Sequence, residues 1–382
     1  MGESRSTCVW VLTTEFSPYI VGGLGTVATE LSKAISKENV KVIVWSKSAS
    51  KQVAFAGLPR MVIIRIPQTK RYYEYGSYKT GSLVSAASTL ASRKPDIIHV
   101  HSLEYANEAL SYKKKHRTPI LYTCHSLILS EKTNTLSAVR RKNIQRALIL
   151  GSDRIVVPSG WLRNQIVQRF PTASTKTIVI PHGVEIPSRI TKAPRHELLY
   201  VGRLISSKGV DPLVEAAGKL SRNHKKLRLT IVGKGSQKYR RKLFSIAHRK
   251  GFASKIRFLG FLPPHNMKRI YASMGIVVVP SKQGESFCLV ALEAMANGNP
   301  LVSTLAGGLR DFVNHRNAEI IPSVTGKSIA KAIKKVLANP ERTNKRIRMA
   351  RIVANRNRWP DAAKRYIKLF KNLQASTSNR RK

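Results

Sequence analysis

The chain is built from short apolar stretches, each about one strand long and each followed by a polar loop and a helical stretch. "CVWVLTTEF" leads through the loop "SPYIVGGLG" into "TVATELSKAI", and "VKVIVWS", "DIIHVHS", "PILYTCHS", "DRIVVPS" and "KTIVIPHG" follow in the same style. Strands alternating with helices imply parallel β-α-β units, because a parallel neighbour is reached only through a crossover. Near residue 186 the pattern restarts after the linker "VEIPSRITKAPR", with "ELLYVGR", "RLTIVGKG", "KIRFLGFL", "GIVVVPS" and "PLVSTL". A length of 382 residues exceeds one ordinary core. The expected fold class is therefore α/β, with two doubly wound domains facing one another.

In such sheets ligands sit at the carboxyl ends of strands. The polar residues there are Gly22 to Gly25, His101, His125, Arg203, Lys208, Gly233 and Glu285. They come from both halves, which places the expected chemistry in a cleft between the domains. In "VGGLGTVA", Gly23, Gly25 and Ala28 formally match a dinucleotide fingerprint. That fingerprint belongs in the turn directly after a strand, and here Glu15 to Val21 intervene, which disfavours a dehydrogenase. A glycine-rich loop feeding a helix still offers backbone N–H groups to an anion, the plain alternative being a flexible turn. Arg203 and Lys208 share one strand-end loop, and two such cations suit a diphosphate, although the pair alone is common on any surface. His99 and His101 are read as facing opposite sides of their strand and so unable to chelate together. Cysteine and histidine spacing shows no zinc site, and no P-loop is present. His125 is read either as a hydrogen-bonded core histidine or as a site residue.

The charge is extreme: 68 Lys and Arg against 20 Asp and Glu, a net +48. Such a field attracts nucleic acid, anionic lipid or acidic polymers and says nothing about fold. Twelve Lys or Arg fall between Lys219 and Lys250 with no acid, and fourteen between Arg342 and Lys382 with only Asp361. Solvated helix faces and a surface for an anionic partner both account for these runs. They lack interleaved aromatics or a known module, so no specific nucleic-acid partner is expected. Three distant cysteines argue for a reducing compartment, hence a cytoplasmic protein. No apolar run reaches membrane-span length, and "MGESRSTCVWVL" is too short in its apolar part for a signal peptide. Its Met-Gly-x-x-x-Ser start matches an acylation pattern only loosely.

Against so basic a background, "GESFCLVALEAMANGNP" is the informative stretch. Glu285 falls in the loop after "GIVVVPS", and Glu293 within the following helix, about two turns from its start. The N–H groups of Phe287, Cys288 and Leu289 crown that helix and favour an anion. A carboxylate on each side of such a point is costly unless it meets hydroxyls or cations, and sugar and ribose hydroxyls meet that need. Neither carboxylate is expected to pair with the basic field.

These residues, with "EFSPYIVGGLGTVATEL", "TCHS", "VIPHGVE", "VGRLISSKG", "FLGFLPPHNMKRIYASMGIVVVPS" and "GESFCLVALEAMANGNPLVSTLAGGLRDFV", resemble family-4 retaining glycosyltransferases of the GT-B fold. The Glu-x7-Glu element from Glu285 to Glu293 is the most specific mark. The resemblance implies two Rossmann-like domains, residues 1–185 on the acceptor side and 186–356 on the nucleotide-sugar side. Residues 357–382 would be a helix crossing back to the first domain and a basic tail. It implies a nucleotide-sugar donor, a glycan, lipid-linked or polymeric acceptor, no cofactor and no bound metal. Arg203 and Lys208 would hold the donor diphosphate, with Gly22 and Gly23 approaching from the first domain and backbone N–H groups of Phe287, Cys288 and Leu289 completing the contact. Glu293 would bind ribose, Glu285 the transferred sugar, and His125 would sit beside that sugar. Cys288 stands where glycine is commoner, His182 where "IPNGV" is usual, and Asp311 where glutamate often follows the paired glycines. The family also includes proteins associated with bacterial spore coats, so a structural protein held at a membrane or spore-coat surface by its charge is the alternative.

Overall fold

The computed structural model describes residues 6–48, 54–67, 91, 93–130, 135–190 and 193–379. The first five residues of the acylation-like start, residues 191–192 of the linker and the last three of the basic tail lie outside the described residues. Two compact units divide the chain: residues 1–183 with 359–382, and residues 184–358.

The first unit holds strands β1 (Thr7–Leu12), β2 (Val40–Ser48), β3 (Ala54–Leu58), β4 (Met61–Pro67), β5 (Ile97–Val100), β6 (Ile120–Thr123), β7 (Arg154–Val157) and β8 (Thr177–Val179). Their order is β3-β4-β2-β1-β5-β6-β7-β8, with only β3 antiparallel to its neighbour. Described helices are α1 (Gly23–Ser36), α2 (Ala106–His116), α3 (Leu136–Gly151) and α4 (Gly160–Arg169). Crossover helices cover both faces of a parallel sheet, so its strands read as unbroken apolar runs. Cys8 to Leu12 of β1 are all buried, and the Trp10 ring lies 5.1 Å from that of Trp45 on β2. Local sequence sets the helix starts: Thr135 and Ser159 accept hydrogen bonds from Ala138 and Leu162 N–H at the heads of α3 and α4.

The second unit holds β9 (Glu197–Val201), β10 (Arg228–Val232), β11 (Ile256–Gly260), β12 (Ile276–Val279), β13 (Leu301–Ser303) and β14 (Glu319–Ile320). They form one parallel sheet in the order β11-β10-β9-β12-β13-β14. Its described helices are α5 (Val210–Ser221), α6 (Gln237–Arg249), α7 (Pro264–Ser273), α8 (Leu289–Ala296), α9 (Gly326–Ala338) and α10 (Pro340–Asn355). The last helix, α11 (Trp359–Asn379), belongs to the first unit. It packs on α1, and its Tyr366 hydroxyl lies 3.0 Å from Thr123 Oγ1 at the end of β6.

The chain passes between the units twice, and the two passages run side by side. Val184 N–H donates to the Asn357 carbonyl at 2.9 Å. A Cβ on Gly183 would lie 2.5 Å from Trp359 N, so only glycine allows this approach. Each sheet also has one place where its winding reverses, between β1 and β5 in the first unit and between β9 and β12 in the second. Loops splay apart at the carboxyl ends of such strand pairs and leave room for a ligand.

Candidate active site

In the second unit both loops at the winding reversal carry site residues. After β9 the chain passes Arg203 and makes a 3-10 turn, Ser206–Lys208, before α5. After β12 it runs through Ser281 to Glu285. Lys282 N–H donates to the Ser207 carbonyl at 2.9 Å and ties the two loops together. The Lys208 ammonium lies 2.6 Å from Glu285 Oε1, and Ser281 Oγ donates to the same oxygen at 2.5 Å. Glu285 therefore pairs with the basic field after all, contrary to the sequence expectation. The residues are 77 apart in sequence, and only the adjacency of β9 and β12 makes them neighbours. Their side chains keep 24% and 14% exposure, enough that the pair is not a fully desolvated one. Both bonds land on Oε1, and among the described residues no hydrogen bond is made to Oε2. Arg203 is exposed, and no side-chain bond holds its guanidinium among the described residues. Its carbonyl accepts from the Tyr200 hydroxyl at 2.9 Å, which anchors the turn.

Helix α8 begins at Leu289, so Glu293 lies just over one turn from its start rather than two. Cys288 caps it at φ 82° and ψ 80°, a left-handed conformation that costs a residue with a Cβ about 1–2 kcal/mol. This is the physical meaning of the glycine expected there. Phe287 is buried against Phe312, with ring centroids 4.8 Å apart, so it can offer a ligand only its backbone. The Glu293 carboxylate accepts from the Tyr271 hydroxyl on α7 at 2.7 Å, and burial raises its pKa. Burial, reinforced by the Glu285 charge, pushes the Cys288 thiol up to about 12, so it is no thiolate nucleophile at neutral pH.

In the first unit, the glycine loop is organised by a residue the sequence reading passed over. Glu15 Oε2 accepts from Val21 N–H at 2.9 Å and Gly22 N–H at 3.0 Å. A Cβ on Gly25 would come within 2.7 Å of that oxygen, so Gly25 makes room for the carboxylate. Of the two glycines expected to approach an anion, Gly22 thus has its N–H committed to Glu15. Tyr271 and Ser281 were missed as well. Ser281 closes "VVVPS" at a strand end and was open to discovery there, whereas nothing in the sequence marks Tyr271. For Glu15 the signal was a rare acid between a strand and three glycines.

Four histidines gather at the carboxyl ends of β5, β6 and β8, with His99 within β5 itself and His101, His125 and His182 beyond the strand ends. His99 and His101 were expected on opposite sides of a strand, but their ring centroids are 4.1 Å apart. Residues two apart in an extended chain share a face, and β5 ends at Val100, between them. His99 Nε2 lies 2.8 Å from Thr123 Oγ1, and His101 Nδ1 lies 3.0 Å from His125 Nε2. The His125 ring centroid is 5.7 Å from that of His182. Burial lowers all four pKa values, to about 3 for His99 and about 4 for His125. All are neutral at pH 7. No group of three or more His, Cys, Asp or Glu is arranged to hold a metal ion among the described residues.

Two family profiles match adjoining parts of the chain: "Glycosyltransferase Family 4" over residues 21–186 and "Glycosyl transferases group 1" over residues 186–353. Glycogen synthase of Mycobacterium tuberculosis is 26% identical over 88% of this chain and 87% of its own length. D-inositol 3-phosphate glycosyltransferase of Geodermatophilus obscurus is 27% identical over 84% of this chain and 78% of its own. Among solved structures, sucrose-phosphate synthase from Thermosynechococcus elongatus superposes with a TM-score of 0.80 at 20% identity, covering 97% of this chain and 100% of that one. Anabaena HepE in complex with UDP and glucose superposes with a TM-score of 0.73 at 17% identity, covering 96% and 100%. Among the described residues, no helix is long and apolar enough to cross a membrane. With two doubly wound parallel-sheet units and both profiles in sequence order, the chain belongs to glycosyltransferase family 4, as a sugar-transferring enzyme of the hexosyltransferase class on the GT-B fold.

Proposed function

We propose that the protein is a retaining glycosyltransferase that moves a hexose from a nucleotide-sugar donor to a glycan, a lipid-linked sugar or an envelope polymer. The observation that carries this reading is the Lys208–Glu285 pair at the winding reversal of the second sheet, with α8 starting four residues on. Departure of a nucleoside diphosphate builds negative charge. Arg203, Lys208 and the first N–H groups of α8 meet that charge in advance, and each well-aimed donor is worth about 3 kcal/mol in the transition state. Glu285 holds the Lys208 ammonium in place and turns Oε2 to a sugar hydroxyl. Glu293, backed by Tyr271, accepts from the ribose hydroxyls, and His125 faces the transferred sugar. The diphosphate is neutralised by these protein cations, so no metal is required. HepE, solved with UDP and with UDP-glucose, supports a nucleotide-sugar donor of this kind.

The acceptor is presented at an anionic surface on this reading. Helix α3 exposes Leu136 (92%), Val139 and Leu150, helical spacing puts Arg146 on the same side, and the helix carries no acid. Exposed apolar side chains on a basic helix without acids suit contact with an anionic headgroup layer. Thermal unfolding against a panel of nucleotide sugars tests the donor. A ligand at 100 times its dissociation constant raises stability by about 2.7 kcal/mol. The anomeric configuration of the product then tests retention. Absence of stabilisation by every common donor, with no transfer, overturns the proposal. Co-sedimentation with anionic but not neutral vesicles tests the surface.

A further inference from the structure

The sequence leaves open which nitrogen of His125 carries its proton, and the neighbouring histidine decides it. His101 and His125 are joined through His101 Nδ1 and His125 Nε2 at 3.0 Å. Both rings are held neutral by burial, so one nitrogen donates and the other accepts. His101 is buried, at 3% exposure, and its Nε2 finds no hydrogen-bond partner among the described residues. A buried N–H without an acceptor is the rarer and costlier orphan. The remaining nitrogen of His101 is therefore the bare one, and its proton sits on Nδ1.

We propose that His101 is a positioning residue that fixes the tautomer of His125: His101 Nδ1–H donates to His125 Nε2, so His125 is protonated on Nδ1 and presents that N–H as a donor. With Nε2 engaged by His101, Nδ1 is the remaining polar atom of the His125 ring, and the residue is only partly buried. An N–H donor there recognises a hydroxyl or ring oxygen of the sugar, and it cannot act as a base toward a sugar hydroxyl. This last step rests on the reading of His125 as the residue facing the transferred sugar. Free histidine prefers the Nε2–H form, so the tautomer is imposed by the fold.

Imidazole 15N shifts of the full-length, histidine-labelled protein decide the tautomer without any substrate, with His125 assigned from the H125Q spectrum. The expected result is a protonated Nδ1 and a bare Nε2 on His125. A protonated Nε2 overturns the proposal. The H101N side-chain amide replaces the lost donor and is expected to keep the tautomer, whereas H101F removes it and releases His125 to the Nε2–H form. In transfer assays H101F is expected to lower kcat about 10- to 100-fold with little change in KM, the loss typical of removing a partner that orients a histidine, and H101N to restore most of it. Equal losses in H101N and H101F, with the His125 tautomer unchanged in both, assign His101 a packing role and overturn the proposal. The expected tautomer in a protein that transfers no sugar sinks the transferase reading alone. If H101F does not fold, the wild-type spectrum still decides.

Discussion

The two winding reversals share one topology and are furnished in opposite ways. In the second unit, the loops after β9 and β12 carry ions: Lys208 on Glu285, with Arg203 exposed nearby. In the first, the end of β5 and the loops after β5 and its neighbours β6 and β8 carry imidazoles that burial keeps neutral, at 0% exposure for His99 and 3% for His101. The difference lies in water. Charges survive where the ammonium and carboxylate keep part of their hydration, and where hydration is gone the polar groups discard charge and satisfy one another by hydrogen bonds. A site that stabilises a departing diphosphate needs the first kind of furnishing, and one that orients a sugar needs the second.

The sharpest break of this comparison is in the charged site. Glu285→Ala is expected to cut transfer about 100- to 1,000-fold, since it frees Lys208 and, on the proposed reading of the site, removes a sugar contact. Circular dichroism should be unchanged, and activity within a few-fold of wild type would remove Glu285 from the site. Next comes acid. The folded-state pKa values of His99 and His125 lie below the unfolded value, so the unfolded chain takes up protons first. The stability these histidines contribute is present above about pH 6.5 and is lost as pH falls through the folded values of about 4 for His125 and about 3 for His99. Denaturant unfolding at intervals from pH 7.5 to 4 should show that slope, and H99N with H125N should reduce it, leaving the share of His101 and His182. The Glu293 carboxylate has the opposite sign: its raised pKa means that its charged form opposes folding as pH rises.

A smaller effect is expected at the glycine loop. Gly25→Ala places a Cβ against Glu15 and should cost about 1–3 kcal/mol by overpacking. Combining it with Glu15→Ala should recover part of that cost, because the two share one space. The smallest effect is at Cys288→Gly, where relief of the left-handed strain offsets the greater freedom of glycine in the unfolded chain. The expected change is about 1 kcal/mol or less in the stabilising direction. Chelation with EDTA should leave transfer unchanged if the protein cations alone meet the diphosphate, and a strong loss would show that a metal shares that work.

The fold was legible because its signals are local. Each strand is an apolar run closed by a polar residue, each helix has its own period, and parallel units follow from the alternation. The strand-end placement of the candidate residues was legible for the same reason: Arg203, Lys208, Glu285 and His125 all follow strands. What the sequence misjudged were partnerships. It left the carboxylates of Glu285 and Glu293 unpaired, whereas Lys208 and Tyr271 hold them. It separated His99 from His101, and it gave Glu15 no role because the acid's partners, Val21 and Gly22 N–H, become neighbours only once the loop folds back.

The sequence by itself thus determined which chemical groups stand at the ends of which strands, since periodicity, caps and turn residues act over a few positions along the chain. Tertiary structure alone decided which of those groups touch and which stay charged. Strand order brings residues from distant segments within hydrogen-bond reach, and burial, which no single segment contains, sets the cost of a charge at each place.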